Sequence, residues 1–198
     1  MAVLPLAVEI AILAGGRSTR MGRDKARLRL GSLTFLGQIK QTAAQLGLPI
    51  RVIRRDLVPA CGPLGGVLTA LKKSRADAVL FLSCDMPFIT AALLRRLLRA
   101  AHDRRKAVFV STLGRVGFPF ILPAQTAVLI KKLLKDESYS LQTLAKKLGA
   151  TTVRVGNSST ELLNINTPGD LTKERRLNSN DHLVAPVGIF SRSAIRVC

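Results

Sequence analysis

Residues 7–13 (Ala-Val-Glu-Ile-Ala-Ile-Leu) form an apolar, β-branched run that passes without a break into a loop of glycines and cations, Leu13-Ala-Gly-Gly-Arg-Ser-Thr-Arg-Met-Gly-Arg-Asp-Lys25. A run of that length and make-up suits a buried strand. An amphipathic stretch follows from about Leu33 to Leu46, with Leu33, Leu36, Ile39, Ala43 and Leu46 at helical spacing and Gly47 as its stop. Strand, glycine-rich loop and helix open an α/β sheet, and such sheets bind ligands outside the carboxyl ends of their strands. Glycines let a backbone turn sharply and bring its N–H groups close to an anion. Arg17, Arg20, Arg23 and Lys25 supply charge of the matching sign. The loop is therefore expected to hold a nucleoside triphosphate.

The remainder keeps the alternation. Pro49–Arg54 reads as a short strand, leading through Asp56 to Gly62-Pro-Leu-Gly-Gly66, a turn that opens a helix to about Lys73. Ala78–Ser83 is nearly continuous in apolar residues, as a central parallel strand covered on both faces requires. It stops at Cys84-Asp-Met-Pro-Phe88, and Thr90 is placed to cap a helix from Ala91 to Ala101. Ala107–Ser111 predicts a strand, and 117–122 an extended piece that Pro119 assigns to an edge or an irregular segment. Helices are expected over 123–134 and 140–148, and strands over 151–155 and 161–165. Thr167 and Pro168 then suit the start of a further helix. The pattern predicts an α/β fold with a doubly wound, mostly parallel sheet. It spans one domain over residues 1–176, with 177–198 as a loosely ordered extension.

Composition narrows the class. The chain has 198 residues, and its 47% hydrophobic and 22% charged content are those of a globular protein. No apolar run reaches the roughly 20 residues of a membrane span, and the apolar N-terminus lacks the basic flank of a signal peptide. Cys61, Cys84 and Cys198 lie far apart without metal-type spacing, as reduced thiols in a cytoplasmic protein would. The net charge of +19 is not gathered in a tail, since residues 1–75 hold thirteen basic and three acidic side chains. Such a surface attracts polyanions, and equally suits a well-solvated, arginine-rich exterior. With one Tyr and no Trp to stack on bases, nucleic acid is the disfavoured partner.

Three further groups carry chemistry. Asp85, at the end of the most apolar strand, suits a hard divalent cation shared with triphosphate oxygens, or a turn cap. Asp56 points to the same edge, as does the helix start at Gly62–Gly66, which suits an anion. Asn164 and Asn166 flank an isoleucine and, in an extended segment, project to one face. The loop at 13–25 fits neither the Walker A pattern nor Gly-x-Gly-x-x-Gly.

In this order, Leu-Ala-Gly-Gly-Arg-Ser-x-Arg-Met-Gly-x-Asp-Lys, Gly-Pro-Leu-Gly-Gly, Cys-Asp-Met-Pro-Phe and Asn-Ile-Asn-Thr-Pro-x-Asp-Leu resemble the MobA-type molybdenum cofactor guanylyltransferases over about residues 8–172. The resemblance implies a Rossmann-like nucleotidyltransferase with Mg²⁺. It would move GMP from GTP to the terminal phosphate of molybdenum-molybdopterin and release pyrophosphate. It implies that Leu13, Ala14, Gly15 and Gly16 meet the nucleotide, that Arg20 and Lys25 hold the triphosphate, and that Asp56 contacts the nucleotide. Asp85 would bind Mg²⁺ and GTP, and Asn164 and Asn166 the acceptor. Partners implied are GTP, molybdenum-molybdopterin, and molybdoenzymes or other cofactor-biosynthesis proteins, with no membrane.

One departure stands out. The family usually has two strand–helix steps between the first helix and the Gly-Pro-Leu turn, the first carrying an asparagine that reads the base. Here fourteen residues, Leu48 to Cys61, separate Gly47 from Gly62, and no Asn occurs before Asn157. A same-fold nucleotidyltransferase using CTP or another acceptor, and a relative that binds without turnover, therefore stay open.

Overall fold

The computed structural model describes residues 6–15, 28–58, 61–104, 106–157 and 159–165. All lie within one compact unit, Met1–Asn166, and the boundary expected at 176 and the extension at 177–198 lie outside the described residues. In chain order the elements are β1 (Val8–Leu13), β2 (Arg29–Leu30), β3 (Leu33–Thr34), α1 (Phe35–Ala44), β4 (Ile50–Ile53) and α2 (Gly62–Lys73). There follow β5 (Ala78–Ser83), α3 (Ala91–Arg104), β6 (Val108–Thr112), β7 (Arg115–Pro123), α4 (Thr126–Lys135), α5 (Leu141–Leu148) and β8 (Thr151–Arg154).

Six strands form one sheet in the order β4-β1-β5-β7-β6-β8, and β2 and β3 form a small hairpin. β1 runs parallel to β4 and β5, β6 runs parallel to β8, and β7 alone is reversed. The sheet is thus mostly parallel, as expected. Its two faces bury different side chains, because residues on a strand alternate. Ile10, Ile12, Leu80 and Leu82 meet α1 and α3. Ala11, Val79, Phe81, Phe109 and Phe120 meet α2, α4 and α5. On that second face Phe120 stacks between Phe81 and Phe109, with ring centroids 5.0 and 4.7 Å away.

Local chemistry sets the helix ends. Thr34 Oγ1 accepts the Gly37 N–H at 3.0 Å to start α1, so the first two residues of the helix expected from Leu33 belong instead to β3. Ser140 caps α5, and Gly149, in the left-handed region at φ 54°, ends it. Gly62-Pro-Leu-Gly-Gly66 is the first turn of α2 itself rather than a turn before it. The helix expected from Pro123 starts at Thr126, Pro123 being the last residue of β7.

One expectation resolves and one fails for reasons outside their own sequence. Pro119 lies in β7, an inner strand between β5 and β6, so of the edge or irregular segment expected there the irregular one is found. The β6–β7 register shifts between Phe109 and Val110, so Phe120 pairs with Phe109 and Gly117 with Val110, and Phe118 and Pro119 sit in the bulge without needing a ladder bond. Past the bulge β5 no longer pairs with β7. There the Gln142 side chain acts as the neighbour, accepting from Val116 N–H at 3.1 Å and donating to its carbonyl at 2.6 Å. The strand expected at 161–165 is a 3-10 turn, Thr160–Leu162, with an extended exit. No helix among the described residues is long and apolar enough to cross a membrane.

Candidate active site

The carboxyl ends of β4, β1 and β5 meet around Leu13. Ala14 N–H donates to the Ile53 carbonyl at 2.8 Å, and Cys84 N–H donates to the Leu13 carbonyl at 3.1 Å. The start of the glycine loop is therefore wedged between the ends of its two neighbours. A Cβ at Gly15 would lie 2.7 Å from the Arg54 carbonyl oxygen, so only glycine fits there.

Asp56 rests on the first turns of α2. Built Cβ positions at Gly65 and Gly66 fall 3.2 and 3.1 Å from its carboxylate oxygens, and the Leu13 side chain lies 3.3 Å from the position at Gly66. Two glycines thus make the hollow that holds this carboxylate. Burial pushes the Asp56 carboxyl above its ordinary value. Thr69, fully buried on α2, fixes the loop in place. Its hydroxyl accepts from Leu57 N–H and donates to the Gly65 carbonyl, both at 2.8 Å.

Asp85 follows β5 by two residues and is half-buried. The Ser83 hydroxyl donates to its Oδ1 at 2.5 Å, which orients the carboxylate. The side chain that caps α3 is Thr90, accepting from Leu93 N–H at 3.2 Å. The Asp85 carbonyl accepts the Ile165 N–H at 2.8 Å, so the exposed Asn164 is the residue next to this contact. Glu161 fastens that segment: Thr90 donates to one of its carboxylate oxygens, and Ser159 donates to the other at 3.3 Å.

The structure thus brings Leu13, Ala14, Gly15, Asp56, Asp85 and Asn164 to one edge of the sheet. Gly16, Arg20, Lys25 and Asn166 lie outside the described residues. Sequence reasoning missed Ser83, Thr69 and Glu161. A serine two residues before a strand-end aspartate is a local signal. The partners of Thr69 and Glu161, 12 and 71 residues away, leave none. Among the described residues no three of His, Cys, Asp and Glu gather as a metal cage.

A family model described as the MobA-like NTP transferase domain matches residues 10–57 and 41–152, with residues 41–57 matched by both stretches. A probable molybdenum cofactor guanylyltransferase of Opitutus terrae is 32% identical, over 84% of this chain and 94% of that protein. Among solved structures, the Archaeoglobus fulgidus molybdopterin-guanine dinucleotide biosynthesis protein A superposes with a TM-score of 0.68 at 17% identity, over 87% and 99% of the two chains. The Thermus thermophilus 2-C-methyl-D-erythritol 4-phosphate cytidylyltransferase does so with a TM-score of 0.63 at 18% identity, over 85% and 98%.

Proposed function

This chain belongs to the MobA-like NTP transferase family, and we propose that it moves GMP from GTP to the terminal phosphate of molybdenum-molybdopterin, in the cytoplasm. The products are molybdopterin guanine dinucleotide and pyrophosphate. The observation that supports this reading is the Cys84-to-Leu13 hydrogen bond, which ties the first residue of the glycine loop to the segment that carries Asp85 at the end of the central strands.

In the transfer, an anionic phosphate oxygen of the acceptor attacks the α-phosphorus in line. The new P–O bond forms as the α-phosphorus releases the oxygen bridging to the β-phosphate, and no proton need move. The barrier is like-charge repulsion, so alignment and neutralisation are the catalytic tasks. Arg20 and Lys25 neutralise the triphosphate. Leu13, Ala14, Gly15 and Gly16 offer backbone groups to the nucleoside, with Asp56 beside them. Asn164 and Asn166 hydrogen-bond the acceptor.

The Asp85 site fits Mg²⁺. One oriented carboxylate is the usual protein share of a site that Mg²⁺ completes with substrate phosphates and water. Asp85 would hold the ion, which when bound screens the triphosphate charge.

The short stretch at 48–61, with no Asn before Asn157, motivates a second reading in which the nucleotide is another triphosphate such as CTP. The test is Mg²⁺-dependent binding of GTP, CTP, ATP and a short DNA duplex to the wild type and Asp85→Ala. GTP should bind best and weaken roughly a hundredfold in the variant, about 2.7 kcal/mol. Preference for CTP would favour the second reading, and equal GTP binding by both proteins would overturn the role of Asp85. Tight, salt-sensitive duplex binding would favour nucleic acid instead. Interaction with molybdoenzymes or other cofactor-biosynthesis proteins belongs to the same proposal.

A further inference from the structure

The described sheet has two outer strands, β4 and β8. On β8 the Arg154 carbonyl is taken by the Arg96 side chain at 3.1 Å. β4 has no such cover. Ile10 N–H donates to the Pro49 carbonyl and Ala14 N–H to the Ile53 carbonyl, both at 2.8 Å, so Pro49, Arg51 and Ile53 turn their backbone groups to β1. Ile50 and Val52, which alternate with them, turn theirs away. Among the described residues the N–H and carbonyl groups of these two have no hydrogen-bond partner. Two donors and two acceptors thus stand in the geometry of a strand ladder with no strand beside them.

The side chains along this edge alternate as well. Ile50 and Val52 are half-buried against the core of the α1 and α3 face. Arg51, on the other face, donates from Nε to Glu9 and keeps 43% of its side chain exposed. Arg54 and Arg55 follow, both exposed, and their side chains have no hydrogen bond or ion pair among the described residues. The next carboxylate, Asp56, is turned instead into its hollow on α2. Charge of one sign on an outer strand keeps like chains apart. Two copies paired through β4 would set these arginines against one another, on chains that each carry +19. The same charge attracts a strand of opposite sign.

We propose that the outer edge of β4 takes up an extended, acidic segment of a partner protein, which adds a strand to the sheet. Apolar side chains of that segment lie beside Ile50 and Val52, and its carboxylates beside Arg51, Arg54 and Arg55. Polyanion attraction alone would serve nucleic acid equally, but the free donors and acceptors of Ile50 and Val52 match a peptide backbone. The Arg54 carbonyl abuts Gly15, so the partner docks next to the glycine loop. The inference is independent of the transferase reading.

The test uses the full chain and a short, labelled peptide in which Glu alternates with Val, followed by fluorescence anisotropy. The peptide should bind saturably below about 1 mM. A peptide of the same composition with its Glu and Val in two blocks carries the same charge, and should bind at least roughly tenfold more weakly. Alternating peptides N-methylated on every Val, or on every Glu, keep the charge and lose one row of donors. The one whose lost row faces β4 should also bind at least roughly tenfold more weakly. Arg54→Glu combined with Arg55→Glu, at two exposed positions, should weaken the alternating peptide by a similar factor, with circular dichroism showing that the variant is folded. No saturable binding, equal binding of the block peptide, or binding that survives both methylations would overturn the proposal. A wild-type dimer in sedimentation that excludes the peptide would give the edge to a second copy and overturn it as well.

Discussion

Gly15 illustrates what one hydrogen in place of a methyl group secures. A Cβ there would overlap the Arg54 carbonyl at 2.7 Å, and neither backbone can yield without parting β1 from β4. Gly15→Ala should therefore lower stability by about 1–3 kcal/mol and weaken GTP binding, read by thermal unfolding and by titration. The need for glycine was legible in the sequence; the neighbour that enforces it, a backbone from the next strand, was not. Asp56 gives a pH prediction with a definite sign. Desolvation raises its folded pKa above the ordinary 3.8, so the folded state holds the proton more tightly than the unfolded one. Its contribution to stability is then greatest at low pH and is lost as pH rises from that value through the raised one. The unfolding temperature of the wild type relative to Asp56→Asn should fall over that interval. A rise would mean that the hollow at Gly65 and Gly66 stabilises the anion.

At the scale of elements, the alternation of apolar runs and glycine stops was enough to find the six strands of the sheet and the five α-helices of the described residues, because each is written in its own residues. Two features were not. Pro119 reads locally as an edge or an irregular residue, and only the register shift against Phe109 and Val110 decides for the irregular one, in an inner strand. Glu161–Ile165 has strand-like composition, yet the Ser159 hydroxyl accepts the Glu161 N–H at 3.3 Å and Thr90 holds its carboxylate, which together favour a 3-10 turn. That clasp keeps Asn164 beside Asp85. Glu161→Ala should cost about 1–2 kcal/mol in unfolding and should lower kcat, since the segment that carries Asn164 loses its tie to α3. Unchanged kcat with lowered stability would make the clasp structural only.

At the scale of the whole molecule, the +19 charge is distributed along the chain. Its expected consequence is kinetic: GTP should associate more slowly as ionic strength rises, with a smaller change in dissociation, measurable by stopped-flow mixing. An association rate indifferent to salt would assign the charge to solubility. The described sheet ends at β4, which leads directly through the Asp56 loop to α2. Motif order made the fold legible, whereas base choice was not, since no Asn occurs before Asn157. We propose residues 1–176 as the transferase domain and 177–198 as an extension to it. The most direct measurement of the central claim is pyrophosphate release when GTP and molybdenum-molybdopterin are mixed with Mg²⁺, in the wild type and in Asp85→Asn. The account predicts release that needs both substrates and Mg²⁺ and falls at least roughly a hundredfold in the variant, about 2.7 kcal/mol of transition-state stabilisation. Equal release by both proteins, or none from the wild type, would contradict it.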